Sequence, residues 1–302
     1  MEPRQFRALL AVDEHGSFSA AARALGTVQS NVSTHIARLE DELDEVLIDR
    51  ATITLTESGR VVATRARRIE AELASLESDL ASLRDVVRGE VSLGVIGTTA
   101  RWLAPRLLSV LAADCPEVKL RLLDGTTTAL ILQLQAGQID AAVVTLPSGS
   151  TEVVEDPLFE EDGVLVAPVG HALYDRSSLS VADLAGHPLL LEAPGTTFRT
   201  QLDDAARASG VELTPQAEVD GMRLLASLVF GGFGAAVLPA GATALVTPGP
   251  WRSIPLRDGG HRTIGVVRRR RAMPSPAERA VTDRLREIIG REAPLNAGIH
   301  PR

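Results

Sequence analysis

Residues 17–43 read SFSAAARALGTVQSNVSTHIARLEDEL. The run from Phe18 to Leu25 consists mostly of good helix formers, and Ser17 can cap its first turn. Gly26 supplies a tight turn, and Thr27 can cap a second helix from about Val28 to Leu43. Two helices joined by a glycine turn form the unit that places its second helix in the DNA major groove. An ordinary amphipathic helical hairpin is the alternative that this pattern leaves open.

The second helix of this unit has two different faces. Its apolar residues share an arc of about 80° and predict a buried stripe; they are Val28, Val32, Ile36, Leu39 and Leu43. Its small residues lie on the opposite side; they are Ser30, Thr34 and Ala37, flanked by Ser33 and Arg38. Small hydrogen-bonding side chains let a helix approach base edges closely. The pattern therefore favours a DNA-reading helix.

A long helix is predicted next. From Val62 to Val87 apolar residues recur in alternating steps of four and three, with Glu and Arg between them. This 3.5-residue period indicates a coiled-coil seam and hence a partner helix from a second chain. Packing on the C-terminal domain of the same chain is the alternative. The residues predicted to form the dimer contact are Ile69, Leu73, Leu76, Leu80 and Leu83.

From Val91 onward, apolar strands alternate with helices, which is typical of a mostly parallel α/β fold. Strands are predicted to begin near Val91, Val118 and Ala141, and a longer extended segment covers residues 158–169. Ser275-Pro276-Ala277-Glu278 has the pattern of a capping box and begins the last helix. The residues after Glu292 are predicted to be a loose tail.

Composition excludes several classes of protein. With 302 residues and 45% hydrophobic content, the chain can form about two globular domains. No apolar run approaches the ~18 residues of a membrane span, and the N-terminus lacks a signal-peptide pattern. We therefore expect a cytoplasmic protein without membrane contact. Cys115 is the only cysteine and the six histidines are scattered, so no disulfide, metal or other cofactor is expected.

The charge of the first 58 residues opposes DNA binding. The whole chain has a net charge of −8, and residues 1–58 contain ten acidic residues against five arginines. Nucleic-acid binders usually carry a basic balance. We therefore expect few phosphate contacts and a shallow salt dependence. A regulator that pairs with another protein and scarcely binds DNA stays open as an alternative.

Several stretches together resemble the LysR family of transcriptional regulators. The N-terminal signature lies at residues 18–25 (FSAAARAL), 29–33 (QSNVS), 36–40 (IARLE) and 55–59 (LTESG). Landmarks of the effector domain lie at residues 89–94 (GEVSLG), 137–140 (GQID) and 233–239 (FGAAVLP). The resemblance covers about residues 1–292 and is most specific in the first 60.

The resemblance implies an α/β protein in three parts. These are a winged helix-turn-helix domain (1–58), a linker helix for dimerisation (59–88) and a two-lobed effector domain like a periplasmic binding protein (89–292), before the loose tail (293–302). Lobe 1 would comprise about 90–160 and 264–292, and lobe 2 about 163–262. Two strands would cross between the lobes, near Phe159–Gly163 and Arg262–Ile264. The implied partners are double-stranded DNA, a small-molecule effector, further copies of the chain in a dimer or tetramer, and RNA polymerase.

By the family's pattern, Gln29, Ser30, Ser33 and Thr34 face the groove, with Arg38 beside them and Arg50 on the phosphate backbone. The chain also departs from that pattern. Thr34 stands where arginine is frequent, and Asp44 replaces a common glycine. The wing segment at residues 51–54 is short and lacks its usual arginines. These departures also predict fewer phosphate contacts.

The effector cleft would be lined by hydroxyl residues of lobe 1, namely Thr98, Thr99, Thr126 and Thr145. From lobe 2, the loop Pro194–Arg199 would contribute Thr197, Phe198 and Arg199. Backbone amides at helix starts favour an anion, so we expect a small organic acid. The alternatives are that the threonines are only helix caps and that Arg199 is a solvated helix residue.

Two other function classes compete. A two-lobed solute-binding protein shares the C-terminal pattern but leaves residues 1–88 unexplained. An enzyme is disfavoured because Gly94-Val95-Ile96-Gly97 lacks the third glycine of a dinucleotide loop and no Gly-x-Ser-x-Gly occurs. Gly231–Gly234 is interpreted as a helix end, and Arg268–Arg271 as a solvated strand end.

Overall fold

The computed structural model describes residues 1–82, 87–244, 249–270 and 273–302. The N-terminal domain consists of helices, a two-stranded wing and the start of a long helix. In chain order these are α1 (Pro3–His15), α2 (Phe18–Ala24), α3 (Gln29–Leu43), β1 (Ile48–Asp49), β2 (Thr54–Leu55) and α4 (Glu57–Ser82). The strands β1 and β2 pair antiparallel, and Ile48 lies opposite Leu55.

The ends of the first helices follow the local signals. Ser17 accepts a hydrogen bond from the Ala20 N–H at 3.2 Å and caps α2. The prediction for the start of α3 was wrong by one residue, because Val28 and not Thr27 occupies the N-cap position. Val28 is 60% exposed and so lies outside the core. Val32, Ile36 and Leu39 are fully buried, as the helical stripe predicts.

The long helix α4 begins earlier than its heptad pattern indicates. Its first three turns belong to the N-terminal core, where Ala63 and Ala66 are fully buried. A Cβ atom on Gly59 would lie 2.0 Å from the Leu47 carbonyl oxygen, so only glycine permits this approach. Within the described residues, no helix is long and apolar enough to cross a bilayer.

The rest of the chain forms two α/β lobes. Its elements up to the crossing strand are β3 (Gly89–Ile96), α5 (Gly97–Asp114), β4 (Val118–Gly125), α6 (Thr127–Gln135), β5 (Ala141–Leu146) and β6 (Val153–Pro168). The later elements are β7 (Pro188–Glu192), α7 (Thr197–Ala208), β8 (Thr214–Val219), α8 (Met222–Phe230), β9 (Ala236–Pro239), β10 (Trp251–Pro255), β11 (His261–Arg269), α9 (Pro276–Glu292) and β12 (Ile299–Pro301). The sequence also predicts strands near Leu189–Leu191, Ala235–Leu238 and Ile264–Arg268, which correspond to β7, β9 and β11, whereas β8, β10 and β12 were not predicted.

The strand β6 passes from one lobe to the other. The main sheet has the order β10–β6–β11–β5–β3–β4, and β3 is parallel to both β4 and β5. Residues 153–162 of β6 pair with β11, whereas residues 163–168 pair with β9 and β10. In the second lobe, β7 and β8 form a parallel pair. The change of partner between Asp162 and Gly163 agrees with the crossing expected at Phe159–Gly163.

The C-terminal residues are not a loose tail, and this prediction was wrong. The strand β12 pairs antiparallel with β6, with Ile299 opposite Glu161. The Asp162 N–H donates to the Gly298 carbonyl at 2.8 Å, and Ile299 is only 3% exposed. A strand of three residues is too short to show an alternating pattern, so the hydrophobic periodicity could not predict it.

Candidate functional site

The outer side of α3 presents an uncharged polar surface, which we call the groove face. Gln29, Ser30 and Thr34 are exposed on it, and Ser33 is half-buried beside them. The Ser19 hydroxyl donates to the side-chain oxygen of Gln29 at 3.1 Å and so orients that amide. Arg38 is exposed one turn further along the helix. These side chains have the size and chemistry for contact with base edges.

The acidic residues of this domain lie away from the groove face. No acidic residue occurs between Gln29 and Leu39. Glu42 accepts hydrogen bonds from the Met1 ammonium and from Gln5, and Asp13 pairs with Arg67. Glu45 accepts a hydrogen bond from the Ser58 hydroxyl at 2.7 Å. Several acidic residues of the domain therefore form hydrogen bonds and ion pairs within the protein and lie away from the groove face.

Glu40 holds the wing, a role that sequence reasoning missed. Its Oε1 accepts hydrogen bonds from the N–H groups of Leu47 and Ile48 at 2.9 and 3.2 Å. Its Oε2 accepts from Arg50 at 2.8 Å, and the Arg50 guanidinium also lies 5.1 Å from the centre of the Phe18 ring. Arg50, expected on the phosphate backbone, would have to leave Glu40 or share its charge to reach DNA.

The exposed part of the α4 seam is free to meet another helix. Ile69, Leu73 and Leu76 are 40%, 38% and 57% exposed, so the fold of the single chain leaves a large part of each side chain uncovered. Leu83 lies outside the described residues, and so does the side chain of Leu80. Solvent exposure of regularly spaced apolar residues is typical of a coiled-coil face.

Four helices begin at one cavity between the lobes, which we call the effector cleft. The cavity has a volume of about 500 Å³. The first residues of α5, α6, α7 and α8 all line it, namely Gly97, Thr127, Thr197 and Met222. Each helix start offers backbone N–H groups without an intrahelical partner and the positive end of a dipole. The helix starts of both lobes therefore favour the binding of an anion in the cleft.

The cleft contains five of the seven residues that the sequence assigned to it: Thr98, Thr126, Thr145, Thr197 and Phe198. Thr99 is fully buried and does not line the cavity, so that expectation was wrong. Arg199 is also a correction. It donates to Asp203 at 2.9 Å and to Glu218 at 3.1 Å, which satisfies its charge within lobe 2.

Arg262 is the cation in the floor of the cleft. It is 8% exposed, and its Nη2 donates to the Thr98 hydroxyl at 2.8 Å. Its Nε donates to Oε1 of the fully buried Glu161 at 2.8 Å, while Glu161 Oε2 accepts from the Gly241 N–H at 2.7 Å. The guanidinium lies 5.8 Å from the centre of the Phe198 ring. One arginine on a crossing strand thus links side chains of both lobes.

Further charged residues line the cleft. Arg223 of α8 pairs with Asp124 of β4 at 2.8 Å, which joins the two lobes across the cavity. Glu192 and Asp220 lie on the lobe 2 side. Burial raises the pKa of Glu192, and the nearby Asp220 adds to this, whereas Thr196 and Arg262 lower it. Of these residues, only Arg262 falls in a segment that the sequence connected with the cleft, and there only as part of a crossing.

Both parts of the chain match described sequence families. Residues 3–60 match the bacterial regulatory helix-turn-helix protein, lysR family, and residues 84–289 match the LysR substrate binding domain. A probable hydrogen peroxide-inducible genes activator of Mycobacterium leprae is 37% identical over 78% of this chain and 77% of that protein. The DNA-binding transcriptional dual regulator OxyR of Escherichia coli is 29% identical over 96% of this chain and 95% of its own.

Solved structures share the fold. A full-length cysteine-to-aspartate variant of OxyR from Pseudomonas aeruginosa is 24% identical, covers 95% of both chains and has a TM-score of 0.73. Full-length CbnR complexed with its target DNA is 24% identical, covers 95% of this chain and 99% of its own, and has a TM-score of 0.69. These likenesses confirm the predicted architecture of an N-terminal helix-turn-helix domain and a two-lobed α/β domain.

Proposed function

The chain belongs to the LysR family of transcriptional regulators, and from that premise we propose that a small organic acid in the effector cleft controls its DNA binding. Membership of the family makes the chain a DNA-binding regulator with an effector-binding domain, not an enzyme. The chemistry of the effector, the residues that read DNA and the state of assembly are the proposal.

The convergence of four helix starts on the cleft is the observation that carries this proposal. Backbone amides at helix starts bind carboxylates and phosphates. The hydroxyl groups of Thr98, Thr126 and Thr128 add donors on the lobe 1 side. An acid that contacts both lobes would draw them together, and the resulting movement would reach the DNA-binding domains through α4.

For DNA, we propose that Gln29, Ser30, Ser33 and Thr34 contact base edges. Arg38 would contact the backbone from the same helix. Few cations surround the groove face, so the salt dependence of binding should be shallow for a regulator of this size. We propose a dimer through Ile69, Leu73 and Leu76, continued by Leu80 and Leu83, and a tetramer built from two such dimers. A cytoplasmic location and contact with RNA polymerase stay predictions.

The peroxide response in the names of the relatives is not proposed for this chain. Cys115 is the only cysteine of the sequence, so a disulfide cannot form within one chain. Cys115 is 7% exposed, caps the end of α5 and does not line the cleft. A buried thiol is poorly accessible to an oxidant in solution.

The test is a titration of the full-length protein against DNA from upstream of its own gene, at several salt concentrations, with and without a panel of small carboxylic acids. We expect a two-fold-symmetric footprint that at least one acid changes, and no change with hydrogen peroxide. Thr128→Val should weaken the response to the acid, because Thr128 lines the cleft and its hydroxyl has no hydrogen bond within the described residues. Thr214→Val, exposed and outside the cleft, is the matched control. A response to acid that Thr128→Val and changes of the other cleft threonines leave intact would contradict the proposed site.

A further inference from the structure

We infer that the effector is a zwitterion of the amino-acid class, whose carboxylate binds the lobe 1 wall of the cleft and whose ammonium group binds between Glu192 and Asp220 of lobe 2. This inference rests on the proposed function of the cleft. It adds a second charge to the effector and gives the molecule an orientation between the lobes.

The lobe 2 wall carries two carboxylates at one edge of a sheet. Glu192 is the last residue of β7, and Asp220 follows the last residue of β8. Glu192 is paired with Val219 in the parallel ladder, so both carboxylates leave neighbouring strands at the same end. Both line the cavity. Burial raises the pKa of Glu192, and the nearby Asp220 raises it further.

Neither carboxylate has a cation of its own within the described residues. Glu192 accepts a hydrogen bond from the neutral Thr196 hydroxyl at 2.7 Å. Asp220 makes no side-chain hydrogen bond or ion pair in the described parts of the chain. The arginines around them are already matched, Arg262 by Glu161, Arg223 by Asp124 and Arg199 by Asp203 and Glu218. Two carboxylates of the cleft thus lack an ion-pair partner among the described residues.

The lobe 1 wall has the opposite character. The starts of α5 and α6 lie there with Thr98, Thr126, Thr127 and Thr128. Asp124 is the only carboxylate among the described residues of this wall that line the cleft, and Arg223 neutralises it at 2.8 Å. Backbone amides and hydroxyl groups can therefore bind an anion here without competition.

This division of charge decides between a plain acid and a zwitterion. A plain acid would bring a third uncompensated negative charge into a partly desolvated cavity, where charges of the same sign repel more strongly than in water. A zwitterion brings no net charge and meets a complementary group on each wall. Because its two charged groups bind different lobes, it would also hold the lobes together more strongly than a plain acid or a plain amine, which meets a complementary charged or polar group on only one wall.

The test measures binding to the full-length protein by calorimetry with matched sets of three probes. One set is L-phenylalanine, 3-phenylpropionate and phenethylamine, and the other is L-leucine, 4-methylpentanoate and isopentylamine. We expect the amino acid to bind at least tenfold more tightly than the plain acid and the plain amine in the set that fits the cavity. Equal or tighter binding of a plain acid would overturn the zwitterion but leave the organic-acid proposal standing. Absence of binding by every member of both sets would overturn both proposals.

Two variants locate the ammonium group. Glu192→Gln combined with Asp220→Asn should weaken the amino acid at least tenfold and strengthen the matched plain acid. Glu212→Gln removes one charge from an exposed position of lobe 2 outside the cleft and should change neither. Unchanged affinity for the amino acid in the double variant would overturn the assignment of the ammonium site. Weaker binding of both the amino acid and the plain acid in Thr128→Val would still support the cleft as the binding site.

Discussion

The DNA-binding domain and the effector domain differ in where their charged side chains lie. Ion pairs of the first, such as Arg4–Glu2 and Arg7–Glu70, lie at the surface, and the groove face itself is uncharged. The second buries Glu161, Arg262 and Glu278, which are 1%, 8% and 9% exposed. Surface pairs contribute about 0–1 kcal/mol, whereas breaking a buried pair costs several. We therefore expect DNA reading to depend on shape and hydroxyl groups, and effector binding to depend on the balance of buried charges.

The largest effect is expected from the buried pair in the floor of the cleft. Glu161→Gln leaves the Arg262 guanidinium buried without a counter-charge. We expect the free energy of unfolding of the effector domain to fall by about 3–5 kcal/mol, measured by urea denaturation. Glu161→Gln combined with Arg262→Gln should recover most of this loss, since no unpaired charge remains. A double variant as unstable as the single one would show that hydrogen bonds, and not the balance of charge, stabilise the floor of the cleft.

Glu278 allows the effect of a buried charge in the effector domain to be tested by pH. Burial and the neighbouring Asp140 raise its pKa to about 7, against the lowering effect of Arg268 and Arg269. The folded state therefore binds a proton that the unfolded state releases, so stability should decrease as the pH rises from about 4.5 to 7. The total change is about 3 kcal/mol. Glu278→Gln should remove this dependence and be the more stable protein above pH 7.

Glu287→Gln is the matched control, because Glu287 lies on the same helix with its side chain 51% exposed. It should keep the pH dependence of the unmodified chain. If Glu278→Gln unfolds with the same pH profile as this control, another group carries the buried proton, and the nearest candidate is Asp140, whose pKa burial also raises.

The next effect breaks the uncharged character of the groove face. Ser33→Arg places a long cation among side chains that must lie close to base edges. We expect specific operator affinity to fall at least about 100-fold while the circular dichroism spectrum and melting temperature stay unchanged. Thr214→Arg adds the same charge at an exposed site of the effector domain and should keep specific binding. Unchanged operator affinity in Ser33→Arg would contradict the orientation of α3.

The two domains also differ in how far the sequence could predict them. The helix-turn-helix unit depends on contacts within short stretches, so a serine cap, a glycine turn and one helical stripe were enough to place α2 and α3 to within one residue. The position of the wing depends on Glu40, whose hydrogen-bond partners lie seven to ten residues away in the sequence. Its role escaped prediction because a glutamate on an amphipathic helix usually faces water.

The cleft depends on residues far apart in the chain. Arg262 meets Glu161 across 101 positions and Thr98 across 164. Hydroxyl residues at helix starts could be placed from the family's pattern, because each helix start is a local feature. The matching of charges could not, since it depends on which carboxylate the fold brings to which arginine. For the same reason Arg199, which the sequence offered as a ligand cation, is matched within its own lobe.

The smallest effect concerns Asp44, which ends α3 in the left-handed conformation with φ 52°. Asp44→Gly removes the steric cost of a Cβ atom there, about 1 kcal/mol, but adds a similar entropy to the unfolded chain. We expect a change in the free energy of unfolding below about 1 kcal/mol, and a small gain in non-specific DNA affinity at low salt because one acidic residue is lost. Asp41→Asn removes the same charge at an exposed position of α3 without changing the backbone. An equal gain in non-specific DNA affinity in both variants would show that the lost negative charge causes the gain. A gain in Asp44→Gly alone would mean that the backbone at the end of α3 adjusts when the domain binds DNA.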